Sequence, residues 1–310
     1  MTLKSVASPY VVPGDIYGLF TEWGELTGHN MPGDIFFDEL RRKFCMFMQE
    51  IFPIGFVFIH EELIKNQINL RARQCSVPIV SIDRSYYRGS YVLDITRRMD
   101  RDLHSWGLGP RPGAESLVDQ VAKIVQKLKR RKADTIVLLD DVLFTKATVL
   151  HVIDLFQYFK IKVKKFIAGI AIESAIPGVE ARGVEVDPGF TSPEGTEVFS
   201  EHDGYIGAPW AGRALIEGEG QPVPYQRPWG KPFWASVPDE KADYFSRQCM
   251  ELSRELYREI GRKSGTPLRC GELPRLVDGF PPDAKVENVL TFCIEQYPKK
   301  PAWHPPRKTR

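Results

Sequence analysis

Cysteine is sparse and shows no pairing pattern. The five residues, Cys45, Cys75, Cys249, Cys270 and Cys293, are odd in number, widely spaced and form no CxxC. This argues against a disulfide framework and a thiolate zinc site, and leaves buried free thiols as the expectation. An excess of either charge is missing too. The 42 Lys+Arg balance 40 Asp+Glu to a formal +2. A globally basic nucleic-acid binder and an acidic solvating chain are thereby disfavoured, whereas a local basic pocket is not. No apolar run approaches the ~18 residues of a membrane span, and there is no internal repeat or lipidation motif. Met1–Pro13 holds one Lys and no apolar signal core, so a cytoplasmic protein without a membrane partner is expected.

What is present suits a chain with its own core. The length of 310 residues and 43% hydrophobic content fit one large or two smaller domains. Apolar residues at helical steps (Phe37, Leu40, Phe44, Phe47, Met48) predict a helix from Asp34 to about Phe52. The run 54–59 reads as a strand buried on both faces. A helix over 61–74 and a strand over 77–82 follow. Residues 115–132 predict a helix, 134–141 a strand ending in two aspartates, 145–159 a helix, 164–173 a strand and 183–186 a short strand. This alternation predicts an α/β fold, a doubly wound parallel sheet flanked by helices.

The rest divides into an N-terminal arm (1–33), a core (34–213), a helical and Pro-rich annex (214–298) and a basic tail (299–310). In the annex, helices are expected over 240–263 and 283–297. The stretch 83–112 is rich in Arg and Tyr, including Arg84, Arg88, Arg97 and Arg98, with a short hairpin strand over 91–96. It reads either as a lid or as a solvated excursion.

Chemistry concentrates at Ile136-Val137-Leu138-Leu139-Asp140-Asp141-Val142-Leu143-Phe144-Thr145-Lys146-Ala147-Thr148. An apolar strand delivers two carboxylates toward its C-terminal end, where open α/β sheets bind ligands. A helix then starts with two hydroxyls, and a helix N-terminus favours phosphate through its N–H groups and dipole. A ribose 5-phosphate suits both parts.

This segment resembles the phosphoribosyl pyrophosphate (PRPP) motif of type I phosphoribosyltransferases, with Asp140 and Asp141 as the acidic pair and Thr145 and Thr148 as the hydroxyl positions. The resemblance implies that Asp140 and Asp141 bind ribose hydroxyls and a Mg2+ ion carried with PRPP, and that Thr145, Lys146, Ala147 and Thr148 wrap the 5-phosphate. Arg84 and Arg88, with Arg97 and Arg98, would steady the leaving pyrophosphate. It further implies a pentosyltransferase fold, a small phosphosugar or nucleotide ligand and a homodimer. The chain departs from the family at Lys146 and Phe144, where Gly and a small residue are usual. It departs again at His60-Glu61-Glu62, acidic and without Gly in the place of a pyrophosphate loop over 60–65. A non-catalytic regulatory protein of the same fold therefore stays as the alternative, as do a receiver-like fold and aspartates that only cap a helix. Nucleic acid is not an expected partner.

A second candidate segment is 201–213, in which Asp203 and Tyr205 face an acceptor and Arg213 an anion. The competing reading is a turn-rich connection. The remaining histidines form no metal pattern.

Overall fold

The computed structural model describes residues 9–82, 84–217 and 221–296. Its first elements are β1 (Tyr10–Pro13), α1 (Ile16–Thr27), α2 (Asp34–Ile51), β2 (Phe56–Ile59), α3 (Glu61–Ala72), β3 (Ile79–Ser81), β4 (Tyr91–Val92), β5 (Ile95–Met99) and β6 (Ser105–Pro110). The chain continues through α4 (Leu117–Arg130), β7 (Thr135–Leu143), α5 (Lys146–Tyr158), β8 (Lys162–Ile172), α6 (Ile176–Glu180), β9 (Glu185–Ser192) and β10 (Glu197–Val198). Last come β11 (Arg213–Leu215), β12 (Pro222–Val223), α7 (Ala242–Ser264) and α8 (Val286–Gln296). These group into two compact units. Of the described residues, one comprises those within 9–13, 59–98 and 106–198, the other those within 14–58, 99–105 and 199–296. Helix α2, which the sequence reading placed in the core, groups with α1, α7 and α8. The expected basic tail 299–310 lies outside the described residues.

The first unit holds a five-stranded parallel sheet in the order β4-β3-β7-β8-β9. By appearance in the chain this is 2-1-3-4-5, an order of doubly wound sheets. Helices cover both faces. Val121, Ile124, Val125 and Leu128 of α4, Val149, Val152, Ile153 and Phe156 of α5 and Val179 of α6 pack with Ile136, Leu138 and Phe166. On the other face, Ile64 and Ile68 of α3 pack with Val137, Leu139 and Ile167. A sheet covered on both sides needs strands apolar on both sides, and in β8 every residue from Phe166 to Ile172 is buried.

Two glycines set how closely α3 approaches. A Cβ at Gly169 of β8 would stand 2.6 Å from the Asp141 carbonyl oxygen and 2.8 Å from Ile64. A Cβ at Gly189 of β9 would stand 2.7 Å from the Gly169 carbonyl oxygen and 2.9 Å from Gln67. A carbonyl of the neighbouring strand is the obstacle in both places, with an α3 side chain close behind it, so a side chain there would strain the sheet as well as the helix packing.

Several expectations require correction. The acidic strand does not end at Asp141; β7 runs on to Leu143, because β8 continues to pair with it (Val142↔Ile170, Leu143↔Ala171). The segment 54–59 is not buried on both faces; β2 is short, and none of its residues is fully buried. The stretch expected as a loop over 60–65 is helical from Glu61 onward. Tyr91 belongs to no hairpin: β4 pairs parallel with β3 (Val80↔Tyr91). All five thiols are free, as expected, with Cys249 and Cys270 fully buried.

The prediction from this packing is that Gly169→Ala destabilises the protein by about 1–3 kcal/mol through overpacking. Urea unfolding measures it, and a change within about 0.5 kcal/mol would mean that the close approach is not a constraint.

Candidate functional site

The parallel sheet reverses its winding between β3 and β7. From β3 the chain passes outward to β4, and from β7 it passes the other way to β8. The C-terminal ends of β3 and β7 therefore diverge, and such a crevice is where open α/β sheets bind ligands. Strand β3 pairs with β7 over Ile79–Ser81 against Val137–Leu139, with flanking bonds from the Val137 N–H to the Pro78 carbonyl and from the Ile82 N–H to the Leu139 carbonyl. Among the described residues, the ladder from β7 to β3 ends at Leu139, while β8 pairs with β7 as far as Leu143. Asp140 and Asp141 lie on this overhang.

The pair also interrupts the strand's alternation. Leu139 and Val142 pack into the same α3-side cluster, although residues three apart on a regular strand face opposite ways. Local bonds explain the irregular step. Asp140 Oδ1 accepts from the Asp141 N–H at 3.1 Å, and Asp141 Oδ1 accepts from the Val142 N–H at 2.6 Å. Aspartate side chains commonly compete in this way for backbone donors. Asp140 is buried at 8% exposure, and Asp141 is half-buried.

Helix α5 begins three residues after β7 ends. Thr145 is its N-cap in extended conformation and makes no side-chain capping bond, and no acidic residue occupies the first turn. Thr145, Lys146 and Ala147 are exposed and Thr148 is half-buried. The first-turn N–H groups therefore lack a side-chain partner at the positive end of the helix dipole, an arrangement that suits an anion. Lys146 does not stand over that turn. Its side chain lies along Gly178 of α6, with Cδ 2.3 Å and Nζ 3.1 Å from where a Cβ at position 178 would be.

The arginines expected at the leaving group separate. Arg84 is ion-paired to Asp94 at 2.5 Å. Arg98 lies along Gly109 of β6. Arg88 and Arg97 are exposed. At the start of α3, Glu61 is buried and paired with Lys65. No three His, Cys, Asp or Glu side chains among the described residues come together as a metal cage.

The segment 201–213 lies in the second unit, where its polar groups hold the fold. Asp203 Oδ1 accepts from the Gly212 N–H at 2.8 Å, and the Asp203 carbonyl accepts from Gln226. Ser253 and Tyr257 of α7 bind the Ile206 N–H and carbonyl. Arg275 donates to the carbonyls of Trp210, Ala211 and Gly212. Tyr205 has no exposed surface and stacks on Phe44 at 6.2 Å. Arg213 lies against Trp234.

Beside this segment is a buried ionic cluster absent from the sequence reading. Glu201, fully buried, accepts from the backbone N–H groups of Asp15 and Ile16 and from Arg41 Nε at 3.2 Å. Buried Asp15 in turn holds His202, with Oδ2 to Nδ1 at 2.5 Å. Burial pushes the Glu201 carboxyl up to about 7, helped by the Asp15 carboxylate and opposed by Arg41 and the two N–H groups. A signal existed in the sequence: Arg41 follows Leu40 and precedes Phe44 by three, within the apolar stripe of α2.

No protein-family model and no curated protein matches this chain. Two cavities in the second unit, of about 290 and 280 Å3, include no sequence-predicted site residue; Tyr257, Arg258 and Lys285 help line one, Trp229, Phe280 and Phe292 the other.

The Glu201 shift predicts a pH dependence of definite sign. Its folded pKa lies above the unfolded 4.5, so its contribution to stability is complete below pH 4.5 and is lost as pH rises through about 7. Glu201→Gln should therefore lose less stability than wild type between pH 5 and 8, by on the order of 2 kcal/mol. Parallel urea curves for the two proteins would contradict it.

Proposed function

We propose that this chain is a phosphoribosyltransferase-like protein that binds PRPP or another ribose 5-phosphate on the first unit. The observation that carries this reading is the acidic pair on the β7 overhang, at the switch point, directly before an exposed helix start without a side-chain cap. Asp140 and Asp141 accept hydrogen bonds from the ribose 2- and 3-hydroxyls. The N–H groups at the start of α5 and the hydroxyls of Thr145 and Thr148 bind the 5-phosphate.

Two adjacent carboxylates, with no third ligating side chain grouped with them among the described residues, suit a Mg2+ ion that arrives on the phosphates, since Mg2+ is commonly held by one or two carboxylates plus substrate oxygens. When bound there it would neutralise charge on a pyrophosphate leaving group. The chain's own residues fix the ribose and the 5-phosphate in one orientation, which lowers the entropic cost of attack at C1. Of the arginines expected at the departing group, Arg84 is committed to Asp94.

A second reading has an observation of its own. Helix α3 starts at Glu61, leaving no loop over 60–65, and that helix start carries Glu61 and Glu62. Acidic groups repel a pyrophosphate, which favours a protein that binds the ribose 5-phosphate and transfers nothing. Nucleobase panels separate the two: ribosylated product supports transfer, and binding without product supports the regulatory form.

Both readings predict that PRPP with Mg2+ raises the melting temperature. Replacing Asp140→Asn together with Asp141→Asn should weaken binding roughly 10- to 100-fold, from lost hydrogen bonds to charged acceptors. Titration calorimetry measures the change, and equal affinity in the double variant would refute the assignment.

A further inference from the structure

Two cations of the second unit, each lying over an aromatic ring, have no carboxylate partner among the described residues. Arg213, at the start of β11, is half-buried, and its guanidinium stacks on the Trp234 ring at 4.3 Å and lies 5.5 Å from the Tyr225 ring centre. Its Nε is buried and has no hydrogen-bond partner. Lys231, also half-buried, places Nζ 5.9 Å from the Phe233 ring centre. Phe233 and Trp234 are neighbours with ring centres 6.2 Å apart, and Phe233 is 64% exposed. No described carboxylate lies within ion-pairing distance of Arg213 or Lys231. Asp203 is engaged with the Gly212 N–H and His202, and Asp239 with Arg227.

Stacking on aromatic rings attracts a guanidinium but satisfies none of its N–H donors, which point outward in the guanidinium plane. A half-buried charge with unmet donors is an unusual arrangement to maintain, because buried charges are ordinarily paired and hydrogen-bonded. The same arrangement is pre-organised for an anion. The rings restrict the side chain's freedom, and a guanidinium edge, where it meets an anion, can make two parallel bonds to the oxygens of a tetrahedral group.

We propose that Arg213, assisted by Lys231, is a binding site for a phosphate group, received edge-on by the stacked guanidinium. The group can belong to free phosphate or pyrophosphate or to a nucleotide; the chemistry recognised is the same. The site shares no residue with the β7 overhang, so it stands or falls separately from the ribose 5-phosphate reading.

The test reads Arg213 directly, as its side-chain Nε–Hε signal in the NMR spectrum of the full-length, isotopically labelled chain. The signal is assigned by its loss in Arg213→Lys. Inorganic phosphate and adenosine monophosphate are titrated separately, with sodium chloride at matched ionic strength as the control. The expected result is a saturable downfield shift with both phosphate ligands, unchanged in Asp140→Asn and weakened roughly threefold to tenfold in Lys231→Met. Tighter binding of adenosine monophosphate than of phosphate would assign the source as a nucleotide, and equal binding would assign it as the phosphate group alone. An Arg213 signal that stays still at millimolar ligand, or moves equally with chloride, would overturn the proposal.

Discussion

The ladder between β7 and β8 is the constraint on which the first unit depends. Among the described residues, the ladder from β7 to β3 ends at Leu139, and the last residues of β7 keep extended conformation because β8 pairs with them through Leu143↔Ala171. That one-sided support carries two carboxylates past the edge of β3 and starts α5 three residues later. Without it, the acidic pair and the helix start would not hold a fixed relation. Gly169 belongs to the same constraint, because it lets β8 run beneath α3 while meeting the Asp141 carbonyl at close range. Site and packing are thus set by the same few backbone contacts.

The two units use their polar residues differently. In the second, Asp203, Ser253, Tyr257 and Arg275 bind the backbone of 203–212, and Glu201 binds the helix start at Asp15 and Ile16. These interactions satisfy groups that would otherwise be buried without partners, at a cost of about 1–3 kcal/mol each. In the first unit, the start of α5 is left without a side-chain cap. Helices α2 and α7 of the second unit also start without a side-chain cap, so what sets the start of α5 apart is the pair of carboxylates just before it.

Much of the fold was legible because it rests on local pattern. The continuous apolar runs in β7 and β8 announced strands covered on both faces, and the 3- and 4-residue spacing in α2 and α4 announced amphipathic helices. The acidic pair was readable as the end of a buried run. What was not legible depends on distant partners. The extension of β7 to Leu143 comes from β8, and β4 is a strand because β3 accepts it at Val80↔Tyr91. Glu201 and Asp15, far apart in sequence, meet only in the fold. The crowding of charge and aromatics at 201–213 does not say which groups are spent inside: Asp203 is bonded to the Gly212 N–H and Tyr205 is fully buried, whereas Arg213 keeps an unpartnered Nε. Arg41 in an apolar stripe was the legible hint of the buried cluster.

The central claim is that a ribose 5-phosphate engages the β7 overhang and the start of α5. Amide hydrogen exchange with and without ribose 5-phosphate tests it most directly. A phosphate held by first-turn N–H groups slows their exchange, so the account predicts protection at 140–149, centred on Lys146–Thr148. Unchanged exchange across 140–149 at saturating ligand would contradict it.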